Sequence, residues 1–90
     1  MMTTNFKHKN LPKLISYARE RHAITQSDLA RYLGYTTSQL ISNFERGLCS
    51  LPIDKFSDIA KCLKLNINDL IEEYIEDERA KVMFIIKRRK

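Results

Sequence analysis

Residues 25–47, TQSDLARYLGYTTSQLISNFERG, constrain the fold more than any other part of the chain. Two short helical patterns flank a glycine-containing turn. The first runs from Thr25 to Leu33 and places Leu29, Ala30 and Leu33 on one face. The second runs from Thr37 to Arg46, with Ile41 and Phe44 on its buried stripe. Each opens with a Thr, whose hydroxyl can accept from an unpaired amide of the first helical turn. Leu33-Gly34 is a helix stop, because glycine reaches the left-handed conformation after the cap without steric cost. Tyr35 and Thr36 then carry the chain into the second helix. On that helix Ser38, Gln39, Ser42 and Asn43 are left polar, uncharged and outward.

A helix whose exposed N-terminal face carries amides and hydroxyls is equipped to bond to base edges. Two helices joined by a tight turn, the second aimed at the major groove, make a helix-turn-helix. Gln39 can pair its amide with the N6 and N7 edge of adenine, and Asn43, one turn on, is a second reader. Ser38 suits a base edge or a phosphate. Thr37 is both a cap and a contact to a thymine methyl or a phosphate. Arg46, at the end of the helix, is placed for phosphate. Ser42 fits either a phosphate contact or a plain exposed helix position.

Charge is distributed to match. The net charge is +5, and residues 1–65 alone carry ten basic and five acidic groups. Residues 66–78 hold six acidic groups and no basic one, whereas residues 79–90 hold six basic groups. The basic head attracts phosphate independently of sequence, through a force that salt weakens. Ninety residues make one small domain, and 43% hydrophobic content with two Gly and two Pro points to a helix-rich globular chain. No apolar run reaches membrane-spanning length and no secretory signal is visible, so a cytoplasmic location is expected. Cys49, Cys62, His8 and His22 lack metal-ligand spacing, so reduced thiols and no metal are expected.

The expected fold is all-α: a five-helix head with a C-terminal extension. Residues 1–9 read as a flexible arm whose Lys7 and Lys9 can reach phosphate. Residues 10–73 form the DNA-binding domain. Helix 1 opens with Asn10 as cap and Pro12 in the first turn, and turns Leu14, Ile15 and Ala18 inward. Pro52 opens helix 4, whose inner face is Phe56, Ile59, Ala60 and Leu63. Asn66 caps helix 5, where Ile67, Leu70 and Ile71 turn inward. Residues 74–90 continue an apolar pattern that a five-helix head does not need. The spacing 71, 75, 78, 82, 85–86 suits one long helix, while Val82 to Ile86 is also competent as a strand. Tyr74, Ile75, Val82, Phe84, Ile85 and Ile86 are expected to form a dimer interface, since a monomer exposing them would carry a large apolar patch. The opposing expectation is that the extension folds back on helix 1 or 5.

From about Leu11 to Ile71 the chain resembles the phage-repressor-like, or Xre/Cro-like, helix-turn-helix family. Ile24-Thr25-Gln26 is similar to the family's opening of its second helix, and Leu29-Ala30 and Leu33-Gly34 match its "LA…LG" pair. Ile41-Ser42 and Phe44-Glu45-Arg46-Gly47 match the exit of the recognition helix. Leu51-Pro52, Ile59-Ala60-Lys61-Cys62-Leu63 and Leu65 to Leu70 match the passage through helices 4 and 5. Gly34 to Gly47 holds one residue more than the usual pattern, placed here in the turn at Tyr35-Thr36. The resemblance implies that Gln26 contacts backbone phosphate, with the helix N-terminus favouring the anion. It also implies a partly buried ion pair between Arg19 and Glu45, and binding to symmetric half-sites as a homodimer.

No phosphate loop, metalloprotease motif or nucleophile elbow is present. Asp54 and Asp58, and Glu72 and Glu76, share helix faces without a His or third ligand, and read as solvated surfaces. The expectation is a sequence-specific double-stranded DNA-binding regulator with no cofactor. The rival from another class is a protein-interaction module, as in an antitoxin, that uses 72–90 to hold a partner protein. A non-specific architectural binder and a membrane-surface role for 79–90 stand further off.

Overall fold

A computed structural model describes residues 9–88; the arm to His8, including Lys7, lies outside it. Among the described residues the elements are α1 (Asn10–Arg21), α2 (Gln26–Tyr32), α3 (Gln39–Glu45), a 3-10 turn (Ile53–Lys55), α4 (Phe56–Leu63) and α5 (Ile67–Arg88). The core is one cluster. Leu11, Ile15 and Ala18 of α1 meet Leu29, Ala30 and Leu33 of the α2 segment, Ile41 and Phe44 of α3, Ile59 and Leu63 of α4, and Leu70 of α5. Burying apolar stripes of this kind supplies most of the stability, since helices this short are marginal alone in water.

α1 is capped from far along the chain. Its N-cap residue, Lys9, makes no side-chain capping bond. The Asp77 carboxylate of α5 instead accepts from the backbone amides of Asn10 at 3.0 Å and Leu11 at 2.9 Å. Asn10, expected as the cap, is therefore the first helical residue. A carboxylate at a helix N-terminus satisfies orphan donors and opposes the positive end of the dipole. Asp77 is nevertheless 4% exposed, a charged side chain buried at the junction of α1 and α5.

Other boundaries move for similar local reasons. Pro52 is extended (φ −62°, ψ 137°) and leads into the 3-10 turn, so α4 begins at Phe56 and not at the proline. Asn66 does cap α5: its side-chain oxygen accepts from the Asn68 amide at 2.8 Å. Ile67 and Ile71, expected in the core, face outward, 36% and 42% exposed. The inward stripe of α5 follows Leu70, Tyr74 and Asp77, and Ile71 stands about 100° round the helix from it. Residues 74–88 are helical, continuous with helix 5, which settles the choice between helix and strand. Tyr74 packs edge-on against Phe56, ring centres 5.5 Å apart.

Among the described residues two non-glycines take left-handed conformations, Ala23 and Lys64, each at φ 57°. Lys64 ends α4, where glycine is the usual solution. Lys64→Gly should therefore stabilise the fold by about 0.5–1 kcal/mol, the relief of left-handed strain offset by glycine's added chain entropy. Urea unfolding checks this as a raised midpoint at unchanged slope.

Candidate nucleic-acid interface

The site is built on α2, the turn and α3. Thr25 caps α2 in a reciprocal box. Its hydroxyl accepts from the Asp28 amide at 2.9 Å, and the Asp28 carboxylate accepts from the Thr25 amide at 3.0 Å. The bond from the Thr25 amide holds the Asp28 carboxyl below its usual range, with the Thr25 hydroxyl and then Arg31 adding smaller effects in the same direction. Gly34 follows α2 at φ 88°. Lys55 reaches back from the 3-10 turn, donates to the Leu33 carbonyl at 3.0 Å and lies over the Tyr35 ring. The end of α2 and the start of the turn are thus held from outside the motif.

The turn is longer than the sequence pattern indicates. Residues 36–38 form bends, and α3 starts at Gln39, two positions after the expected Thr37. The Thr37 hydroxyl accepts from the Gln39 backbone amide at 3.3 Å, so it caps from one step outside the helix. Ser38 stands at the N-cap with φ −88° and ψ 6° and makes no side-chain capping bond. The later helix start leaves the inward pair Ile41 and Phe44 buried.

Along α3 the polar side chains form one connected row. The Asn43 side-chain oxygen accepts from the Gln39 side-chain amide at 3.0 Å and from the Arg46 guanidinium at 2.7 Å. Gln39 and Arg46 are exposed, and Ser38, Ser42 and Asn43 are half-exposed. Bonds of this kind at a wet surface exchange readily for bonds to another donor or acceptor. Lys9 is exposed at the start of α1, in a different element from this row.

Behind the row, Arg19 and Glu45 meet through two bonds, Nε to Oε2 at 2.8 Å and Nη2 to Oε1 at 3.0 Å. Their side chains are 11% and 9% exposed. The Glu45 bond is the main influence raising the Arg19 pKa. Arg19 also donates to the Ile24 carbonyl at 2.9 Å, and the Gln26 side-chain amide donates to Glu45 at 2.9 Å. One network thereby joins α1, the α1–α2 connection, the first residue of α2 and the last of α3. Gln26 is turned toward this pair; an amide carries two hydrogens, so one is left for a phosphate.

Sequence reasoning missed Lys55, Asp77, the Gln26–Glu45 bond and the Asp28 half of the capping box. Only the last had a local signal, Thr25 followed three residues later by a carboxylate. Among the described residues no group of three His, Cys, Asp or Glu side chains is arranged to hold a metal. Burial raises the pKa of the Cys49 and Cys62 thiols. Among the described residues no helix is long and apolar enough to cross a membrane.

Two helices fixed at a turn, with the second presenting an exposed row of amides that ends on a guanidinium, define a helix-turn-helix. Residues 15–70 match the helix-turn-helix family, and the chain belongs to it, in its phage-repressor-like, Xre/Cro-like form. The fold is similar to the crystal structure of the clp gene regulator ClgR from Corynebacterium glutamicum. The two are 17% identical with a TM-score of 0.64, over 90% of this chain and 86% of that one. No curated protein sequence matches the chain. Family membership makes this a DNA-binding transcriptional regulator and not an enzyme.

Proposed function

We propose that the protein is a cytoplasmic, sequence-specific regulator that binds symmetric half-sites of double-stranded DNA as a homodimer. The observation that carries specificity is the row on α3, where Gln39, Asn43 and Arg46 share one face and exchangeable bonds. Gln39 and Asn43 read base edges, with Thr37 and Ser38 beside them at the mouth of the helix. Gln26, Ser42, Arg46, Lys7 and Lys9 bind phosphate, which positions the helix without reading sequence. The Arg19–Glu45 pair fixes the angle at which α3 is presented. Residues 10–73 act as the DNA-binding head, and the rest of α5 supports assembly.

Gln39→Ala should cost about 1–3 kcal/mol on the preferred site and relax preference at one base position. Gln26→Ala should weaken all sites alike. Binding measured across single-base variants of the site distinguishes the two. An unchanged preference profile for Gln39→Ala would remove Gln39 as a reader.

The assembly reading rests on the outer face of α5, where Ile75, Val82, Ile85 and Ile86 are exposed. Phe84 stands apart from them: it is half-buried, with the Arg88 guanidinium 5.6 Å from its ring centre. A different partner protein held by 72–90 is the second reading that this same face supports. A complex of mixed composition isolated with the native chain, in place of a homodimer, would favour it.

A further inference from the structure

The outer face of α5 has a symmetry that its sequence does not advertise. An open apolar groove there is lined by Tyr74, Ile75, Glu78, Arg79, Val82 and Met83. Reversing the helix about the point between Glu78 and Arg79 maps this set onto itself. Tyr74 then falls level with Met83 and Ile75 with Val82, and the exposed Ile71 falls level with Ile86. Ile75, Val82, Met83 and Ile86 are each about half exposed. A face that is complementary to its own reverse is what a twofold antiparallel contact requires.

We propose that a second copy of this chain covers that face, its α5 antiparallel and centred between Glu78 and Arg79. The inference rests on the homodimer reading above and specifies its register. Charge selects the direction. α5 is acidic in its first half, from Asp69 to Glu78, and basic in its second, from Arg79 onward. A parallel pair would set acid against acid and base against base along its whole length. The antiparallel pair sets each acidic half against a basic one. Helical spacing puts Glu76 beside Arg79 of the second copy on one flank, and Glu78 beside Lys81 of the second copy on the other. Within one chain Glu78 already lies 4.0 Å from Lys81. At the dyad, Glu78 approaches its own copy and so does Arg79, and each like pair is bracketed by those opposite charges. Flanking charges of this kind set orientation, while the isoleucines and Val82 supply the buried seam.

Cysteine pairing tests the register in a chain carrying Cys49→Ser and Cys62→Ser. The Ile75→Cys and Val82→Cys chains are oxidised each alone and as an equimolar mixture. The antiparallel register predicts a covalent dimer in the mixture and none from either variant alone. In the Ile75→Cys variant alone, the two introduced thiols would sit seven residues apart along the axis, about 10 Å, beyond disulfide reach. A covalent dimer from Ile75→Cys alone overturns the inference in favour of a parallel pair. Sedimentation of the unsubstituted chain separates the remaining failures. A dimer in solution with no cross-link in the mixture overturns the register alone. A monomer at concentrations above those that saturate DNA overturns the homodimer reading along with it.

Discussion

Arg19→Ala and Glu45→Ala should each destabilise the fold by about 3–5 kcal/mol, because each strands the other charge in a site with little water. Against the roughly 5–15 kcal/mol that holds a small domain together, that is a large fraction. The side chains are about one-tenth exposed and joined by two short bonds, so solvent screens little of the loss. The pair also holds the Ile24 carbonyl and the Gln26 amide, and each single substitution loosens these as well. Replacing both partners with apolar residues of similar volume should restore much of the stability, since no uncompensated charge is left. The double variant should still bind DNA less well, because Glu45 ends the helix that presents the reading row. Urea unfolding of both single variants checks the first point. Unfolding like the unsubstituted chain in both would mean that the pair contributes nothing.

The second large effect is expected from Asp77. Asp77→Ala removes a carboxylate that accepts from two amides at the start of α1. The Leu11 amide lies in a buried bond, and a buried donor left without a partner costs about 1–3 kcal/mol. Adding the loss of the cap gives about 2–5 kcal/mol in all. Glu72→Ala, exposed on the same helix and outside the proposed charge pairs, should stay within about 0.5 kcal/mol. Thermal melts of the two variants side by side test this, and equal melting temperatures would contradict it. A chain cut at Glu73 loses the same cap, so shortening the tail destabilises the head as well as removing the assembly face. Point substitutions on the outer face of α5 keep those two roles apart.

The fold is legible in the sequence wherever its determinants are local. Leu29, Ala30 and Leu33 lie on one stripe, Gly34 follows α2 at positive φ, and Asn66 caps α5. Each depends on residues within a turn or two of one another, so spacing alone reveals it. Features that depend on distance are hidden. Asp77 meets α1 across most of the chain, and Lys55 reaches the end of α2 from another element. Neither leaves a local pattern. Ile67 and Ile71 show a further limit. They fit an amphipathic stripe as well as Leu70 does, and only packing against α1 and α4 decides which side faces in. The site is legible in residue type, as a row of amides and hydroxyls on one short helix. Its register is not: α3 starts at Gln39, and the burial of Ile41 and Phe44, which the spacing does reveal, does not fix that start.

Selection of bound sequences from a random pool of double-stranded DNA puts specific reading by α3 to the sharpest trial. Enrichment of one inverted repeat is expected, its half-sites centred one helical turn apart or a multiple of it, about 34 Å for a single turn. Gln39→Ala should then lose preference at one position in each half-site. Retention of DNA with no enriched sequence, weakening with salt alone, would contradict sequence-specific reading and leave only attraction to phosphate.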